Sequence, residues 1–338
     1  MTKISLSEMS KMLGFSKTTI SRVLNGKAEE YRISLETQEL INLAYALINE
    51  DVKNTRNDAQ QLRNNVDINI GLVVPFISNP FFANLAEAII SEAQENGLSV
   101  TTFDSQENPS MEQRIMKEVL SRNLSGLIIV PVTSRPVEIE MLQKHMPLIL
   151  VDRYFKQSKI PYIACNNYEG GYIAMMHLLK ANHRNILCIE GPQTSITTKE
   201  RERGAKAAVR DFGKDCTLYL RGGEFSVRNG YLQTRLSKTL NPRPSAIFSM
   251  SSTILLGCIK AIREMGLSIP HDFSLITYDN HVYFDYLNPP ISRIAQPLYE
   301  IGRTAVKIMK DCIVNNKPIK SQILLSPKVI LRESIKEI

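Results

Sequence analysis

The chain has 338 residues, of which 43% are hydrophobic and 22% are charged, and its formal net charge is +7. This length allows two or three domains with their own cores, and the composition is that of a globular protein rather than a disordered one. The sequence lacks a run of about 18 apolar residues, which excludes a membrane-spanning helix. The polar N-terminus does not resemble a signal peptide, so we expect a cytoplasmic protein.

The five cysteines are scattered and give no metal-binding pattern; they are Cys165, Cys188, Cys216, Cys258 and Cys312. No two of them have Cys-x-x-Cys spacing, and no histidine lies close enough in sequence to complete a zinc site. Reduced thiols are the expected state, with neither a metal nor a cofactor. The sequence also has no nucleotide-binding loop, metalloprotease motif or serine-hydrolase motif, so we expect no catalytic residues and no enzyme.

Residues 4–48 have the spacing of three short helices. The first helix ends at Gly14, which permits a sharp turn. The second covers Lys17–Leu24 behind an N-cap at Ser16, and the third covers about Leu35–Leu47. A short helix, a tight turn and a second helix form a helix-turn-helix, whose second helix enters the DNA major groove.

The outward face of the second helix is polar and lies in a basic part of the chain. Residues 1–28 contain five Lys and Arg side chains and one acid. Short polar side chains suit phosphate and base contacts, and an arginine can make a forked contact to guanine. The candidate DNA-binding residues on this face are Ser16, Lys17, Thr18, Thr19, Ser21, Arg22 and Asn25. Periodicity alone explains the same face equally well as a solvated helix surface.

The sequence divides into three parts: a helical head over residues 1–50, a polar linker over residues 51–67 and a core over residues 68–338. In the core, apolar runs alternate with helical patterns. Such alternation predicts open parallel sheets with helices on both faces. Strands are predicted at Ile70–Val74, Ser99–Phe103, Gly126–Val130, Leu148–Val151, Ile186–Ile189, Thr217–Leu220, Ala246–Ser249 and Phe273–Tyr278.

The alternation predicts two units, or lobes, in the core. The first covers about residues 68–162 and 294–322, and the second covers about residues 163–293 and 323–338. A late strand-helix passage, Ile291–Asn315, is predicted to cross back to the first lobe.

Residues 4–25, ISLSEMSKMLGFSKTTISRVLN, resemble the head of the LacI/GalR repressors, which has the pattern T-x-x-D-V-A-x-x-A-G-V-S-x-x-T-V-S-R-V-L-N. The resemblance implies that Lys17 and Thr18 read the operator and that Arg22 makes a further base contact. It implies phosphate contacts from Ser16, Thr19, Ser21 and Asn25. It also implies an all-α head joined to a two-lobed core similar to periplasmic sugar-binding proteins.

The LacI/GalR family also has a short hinge helix, with a pattern near P-N-x-x-A-R-x-L, that enters the DNA minor groove. In this chain Ala59 and Leu62 match that pattern. Leu62 corresponds to the leucine that wedges between base steps and bends the DNA. The Pro-Asn pair is absent, and Gln60 replaces the usual arginine.

The resemblance continues over residues 68–333 and implies a cleft for a small polar effector, such as a sugar, between the lobes. Open parallel sheets bind ligands at the carboxyl ends of their strands, which independently favours the same region. The matching positions are Asn79, Phe81, Phe82, Asp152, Ser195, Thr197, Arg201, Phe225 and Asp279. Two alternatives stay open: Phe82 packs its own helix, and Arg201 pairs with a neighbouring acid. Ser251 and Ser252 stand where the family has Asn-Asp, which removes one acceptor.

The resemblance implies a repressor whose affinity for double-stranded operator DNA is set by the effector. One head contacts one half-site, so we expect a homodimer on a near-palindrome of roughly 14–20 bp. Helices near Phe82–Glu95 and Ser110–Arg122 are predicted to pair. A solute-binding protein or a doubly wound sugar-processing enzyme would match the core, but each leaves residues 1–48 unexplained.

Overall fold

The N-terminal head consists of short helices around a small apolar core. A computed structural model describes residues 6–49, 68–213 and 215–338 of the chain. The head contains α1 (Leu6–Leu13), α2 (Lys17–Leu24) and α3 (Leu35–Asn49). Its buried apolar side chains are Met9, Ile20, Val23, Ala28, Ile41, Leu43 and Ala44. The predicted hinge residues Ala59 and Leu62 lie outside the described residues.

The first lobe is built on a six-stranded parallel sheet of order β11-β5-β4-β3-β1-β2. Its strands are β1 (Ile68–Val74), β2 (Leu98–Asp104), β3 (Gly126–Ile129), β4 (Leu148–Val151), β5 (Tyr162–Cys165) and β11 (Gln322–Leu325). Its helices are α4 (Pro80–Glu95), α5 (Pro109–Ser121), α6 (Val137–Gln143) and α11 (Leu298–Asn315). Strands β3 and β4 are buried along their whole length, as expected when helices cover both faces of a sheet.

The second lobe contains another six-stranded sheet, of order β12-β10-β9-β8-β6-β7, in which only β12 is antiparallel. Its strands are β6 (Asn185–Glu190), β7 (Thr217–Gly222), β8 (Ala246–Ser249), β9 (Ser274–Tyr278), β10 (Ser292–Ala295) and β12 (Lys328–Ile330). Its helices are α7 (Asn167–Lys180), α8 (Ile196–Phe212), α9 (Val227–Leu236) and α10 (Ser252–Glu264), with short 3₁₀ turns at Ser237–Thr239 and Val282–Asp285.

The chain passes between the two sheets three times: after β5, after β10 and between β11 and β12. The predicted two-lobed α/β architecture is therefore confirmed. The passages lie a few residues later than the sequence indicated, because β5 extends to Cys165 and β11 extends to Leu325 in the first sheet. The predicted passage Ile291–Asn315 divides into β10 in the second sheet and α11 beside the first.

The two helices predicted to pair in a homodimer turn their apolar side chains inward. Helix α4 buries Phe81, Leu85 and Ile89, and α5 buries Ile115 and Val119, within the first lobe. Among the large apolar side chains in the described part of the chain, Tyr286 of the second lobe is the most exposed at 82%, followed by Val282 of the same lobe and Leu35 of the head at 75% each. None of the described helices is long and apolar enough to cross a membrane.

Helices α7 and α8 approach each other so closely that glycine is required at their contact. A Cβ atom on Gly171 would lie 2.1 Å from the backbone oxygen of Arg201, and one on Gly204 would lie 2.0 Å from that of Tyr168. We expect Gly171→Ala to destabilise the fold by about 1–3 kcal/mol, because backbone atoms have to separate. Thermal unfolding measures the loss.

The matched control for this substitution is Gly223→Ala, since a Cβ atom there would meet nothing within 4 Å. We expect its melting temperature to equal that of the parent protein. Equal melting temperatures for Gly171→Ala and Gly223→Ala would contradict the proposed close approach of α7 and α8.

Candidate effector cleft and DNA-binding face

The carboxyl ends of strands from both sheets surround one cavity between the lobes. The cavity encloses about 570 Å³ of empty space, including its open mouth. The lining residues are Phe76, Asn79, Phe81, Phe82, Glu107, Asp152, Arg153, Thr197, Arg201, Phe225, Ser251, Ser252, Thr253, Asp279 and Gln296.

Two buried aspartates, one from each lobe, have equivalent positions in the cavity. Asp152 directly follows β4 and Asp279 directly follows β9, and each is 4% exposed. Their backbone φ angles are 63° and 77°, in the left-handed region that few side chains other than Asn and Asp adopt. The turn at the strand end therefore brings a carboxylate from each lobe to the cavity.

The Asp152 carboxylate is incompletely bonded. Its Oδ2 atom lies 3.9 Å from Arg153 Nε, and its Oδ1 atom is buried without a hydrogen-bond partner among the described residues. Burial raises the pKa of Asp152 to about 6, against the opposing effect of Arg153 and Arg201. A buried acceptor without a donor costs free energy, so this oxygen favours a ligand that donates a hydrogen bond.

The Asp279 carboxylate, in contrast, is bonded at both oxygens. Its Oδ2 atom accepts the backbone N–H of Ser252 at 2.9 Å, and its Oδ1 atom accepts from Gln296 Nε2 at 2.9 Å. Gln296 directly follows β10, and its own Oε1 atom is buried without a partner among the described residues. A second unpaired acceptor therefore belongs to a residue that lines the cavity, and Asp279 holds its side chain in place.

Arg201 is a buried residue of α8 that is fixed from three sides. Its Nε donates to Asn167 Oδ1 at 2.7 Å, and its Nη1 donates to the carbonyl oxygen of Met250 at 2.6 Å. The guanidinium carbon lies 3.6 Å from the centre of the Tyr278 ring. An amide, a carbonyl and an aromatic ring therefore position Arg201. The sequence had left open an ion pair between Arg201 and a neighbouring acid.

The second arginine in the cavity is neutralised by a carboxylate. Arg153 donates to both oxygens of Glu107, from Nη1 at 3.0 Å and from Nη2 at 2.6 Å. Such a forked pair occupies much of the donor capacity of the guanidinium. Arg153 and Glu107 therefore contribute little net charge to the cavity.

Aromatic rings cover the apolar part of the cavity. Phe81 and Phe82 meet edge to face, with ring centres 5.1 Å apart, at the start of α4. Asn79 caps this helix by accepting the Phe81 N–H at 2.9 Å. Phe225 lies against Gly191, where a Cβ atom would come within 2.3 Å of the ring. Such flat apolar surfaces suit the C–H face of a sugar ring or a planar base.

Most of the predicted effector residues line this cavity: Asn79, Phe81, Phe82, Asp152, Thr197, Arg201, Phe225 and Asp279. Ser195 does not, because it occupies the N-cap position of α8 and its hydroxyl lies 2.8 Å from that of Thr197. Sequence reasoning missed Gln296, although it follows a strand, because β10 was not separated from the helix after it. It also missed Phe76 and Glu107, which lie in loops after β1 and β2.

The candidate DNA-binding residues lie at the N-cap of α2, along the helix and at its C-cap. Ser16 caps the helix by accepting the Thr19 N–H at 3.0 Å, as predicted, while Lys17 and Thr18 are exposed. Asn25 Nδ2 donates to the carbonyl oxygen of Ser21 at 2.8 Å. The first turn of α2 therefore presents a cation and a hydroxyl to solvent, as a recognition helix requires.

Nearly the whole chain is similar in sequence to known proteins. A family model described as a periplasmic binding protein-like domain matches residues 175–335. The chain is 29% identical to the ribose operon repressor of Haemophilus influenzae over 98% of both chains. It is 26% identical to the transcriptional repressor PurR of Mannheimia succiniciproducens, over 98% of this chain and 99% of the relative.

A solved structure shares the core. It is the crystal structure of a LacI family transcriptional regulator from Enterococcus faecium with bound ribose, which is 27% identical with a TM-score of 0.69. The match covers 80% of this chain and 99% of that one. Head, two-lobed core and relatives agree: the chain is similar to the LacI/GalR transcriptional repressors from head to core and is a DNA-binding regulator rather than an enzyme.

Proposed function

We propose that this cytoplasmic repressor binds a near-palindromic operator as a homodimer and that an uncharged monosaccharide in the cleft sets its operator affinity. The observation that carries the proposal is a pair of buried acceptors without a partner among the described residues, Asp152 Oδ1 and Gln296 Oε1, on two residues that line one cavity. A sugar has several hydroxyl donors to satisfy them and a C–H face for the surrounding aromatic rings.

The charges in the cavity favour an uncharged ligand over an anionic one. Glu107 occupies Arg153, and Arg201 is already bonded to Asn167 and Met250. A sugar phosphate would bring further negative charge close to Asp152 and Asp279. The ribose named for the Haemophilus and Enterococcus proteins supports a sugar of pentose size.

Titration calorimetry of the full chain against pentoses, hexoses, their phosphates and nucleobases tests this proposal. We expect an uncharged sugar to bind and to change retardation of operator DNA. The aromatic lining makes a nucleobase the second candidate. Binding of a nucleobase or of a sugar phosphate, with no response to uncharged sugars, would contradict the proposed effector class.

We expect Arg201→Ala to remove the effector response while operator binding without effector survives. Arg201 lies in the cleft, and the substitution removes two buried hydrogen bonds, so we also expect stability to fall by about 2–4 kcal/mol. Operator affinity with and without the sugar, measured beside the melting temperature, checks both effects. Arg203→Ala on the same helix is the control, because that side chain is 57% exposed. A normal response in folded Arg201→Ala would place the effector elsewhere.

We expect Leu62→Ala to weaken specific operator binding and DNA bending while nonspecific binding stays nearly intact. Leu62 is the proposed minor-groove wedge, and an alanine side chain is too short to fill that role. Fluorescence transfer across an end-labelled operator measures the bend angle. Equal angles with the parent protein and with Leu62→Ala would rule out the wedge.

A further inference from the structure

An exposed tyrosine from the loop after α2 covers the predicted base-reading arginine. The guanidinium carbon of Arg22 lies 3.7 Å from the centre of the Tyr31 ring. Tyr31 is 43% exposed, so the ring is not a core side chain that meets Arg22 by general packing. The contact lies beside the helix face predicted to enter the major groove.

Backbone hydrogen bonds hold the loop that carries Tyr31 close to α2. The Lys27 N–H donates to the carbonyl oxygen of Arg22 at 2.9 Å, which closes the start of the loop onto α2. The Ile33 N–H donates to the carbonyl oxygen of Ala28 at 3.0 Å, and Ala28 is buried in the head core. The loop therefore holds Tyr31 in place next to Arg22.

The geometry of the stack leaves the arginine able to bind DNA. An aromatic ring contacts the flat face of a guanidinium, whereas the N–H donors lie along its edge. A free arginine loses rotamer entropy when it is fixed against a base, and a side chain already held in place loses less. The acids Glu29 and Glu30 beside Tyr31 disfavour a direct approach of this loop to phosphates.

We infer that Tyr31 is a positioning residue that orients Arg22 for reading a base. The inference rests on the proposed DNA contact of Arg22 and concerns the aromatic ring, not the tyrosine hydroxyl. Tyr31→Phe should therefore retain operator binding. Tyr31→Ala and Tyr31→Leu should both lose affinity, since neither has a ring.

The test uses the full chain and an operator fragment selected by the parent protein from random DNA. An exposed cation–π contact corresponds to about 2- to 5-fold in affinity, so we expect Tyr31→Ala to weaken a dimer by roughly 5- to 30-fold. Discrimination at the base pair read by Arg22 should fall, while nonspecific binding and melting temperature should not change. In an Arg22→Ala background, Tyr31→Ala should cause no further loss.

These variants distinguish a failure of the positioning role of Tyr31 from a failure of the DNA contact of Arg22, on which that role rests. Full additivity of Arg22→Ala and Tyr31→Ala, or an equal loss in Tyr31→Phe and Tyr31→Ala, overturns the positioning role alone. Unchanged operator affinity in Arg22→Ala overturns the proposed base contact, and the positioning role with it.

Discussion

Asp152→Asn is expected to stabilise the effector-free protein and to remove its response to the sugar. The carboxylate is buried, one oxygen has no donor among the described residues, and burial raises its pKa to about 6. Asparagine keeps the shape and removes the unfavourable charge, so we expect a gain of about 1–3 kcal/mol at neutral pH. The loss of a charged acceptor should weaken sugar binding by about 10- to 100-fold.

The contribution of Asp152 to the stability of the folded protein depends on pH. Because the folded pKa of Asp152, about 6, lies above the ordinary value of 3.8, the folded state binds more protons than the unfolded state between these values. The contribution of Asp152 to stability therefore falls as the pH rises through this window and is regained on acidification. Sugar donors favour the ionised carboxylate, so sugar affinity should fall below about pH 6.

Melting temperatures of the parent protein and Asp152→Asn, measured from pH 5 to pH 7.5, test this reasoning. Burial also raises the pKa values of Glu112 and Glu190 to about 7, but both residues are present in both proteins. The difference between the two curves therefore reports Asp152, and it should widen toward neutral pH. Asp215→Asn, at an exposed site, is the control. A variant that is less stable than the parent at pH 7, or that binds sugar equally well, would refute the proposal.

Arg22→Ala is expected to abolish specific operator binding and leave the core folded. A base contact contributes about 1–3 kcal/mol of discrimination and acts twice in a dimer, so specific affinity should fall by roughly 30-fold or more. Nonspecific binding depends mainly on phosphate contacts and should change little. Lys17→Ala should instead change the preference among operator sequences, because Lys17 is exposed on the first turn of α2.

Competition binding with selected and scrambled DNA at two salt concentrations separates these effects. Arg303→Ala removes an equal charge from an exposed site on α11 and serves as the control. If Arg22→Ala retained the ratio of specific to nonspecific affinity, α2 would not be the recognition helix. A loss equal to that of Arg303→Ala would indicate general electrostatics instead of base reading.

Local sequence signals were sufficient to predict the helices of the head and the buried strands of the core. Helix α2 was predicted to its exact ends, because Ser16 caps it and Asn25-Gly26 stops it. Strands β4 and β8 were also predicted exactly, since each is a short apolar run with every residue buried. Both cleft aspartates were predicted from the family resemblance, and each directly follows a buried strand.

The parts that sequence reasoning missed depend on partners distant in the chain. Strand β11 is four residues long, half-exposed and paired with β5, some 160 residues earlier. Strand β12 has three residues and pairs with β10 at a sheet edge. Without β10 as a separate strand, Gln296 has no predicted position at a strand end. Its role follows only from the contact with Asp279.

The three chain passages between the sheets restrict how the lobes can move. Two of them lie side by side, since the Asn166 N–H donates to the carbonyl oxygen of Leu325 at 2.8 Å and Ser326 Oγ donates to Glu169 at 2.7 Å. We expect three strips of backbone that join the same two sheets to act as one pivot, which favours rotation of the lobes over sliding. Gln296 belongs to one of these strips. A sugar that bonds its free oxygen would therefore act on the pivot itself, and a small shift there becomes a large displacement at the far end of the lobes, where the heads begin.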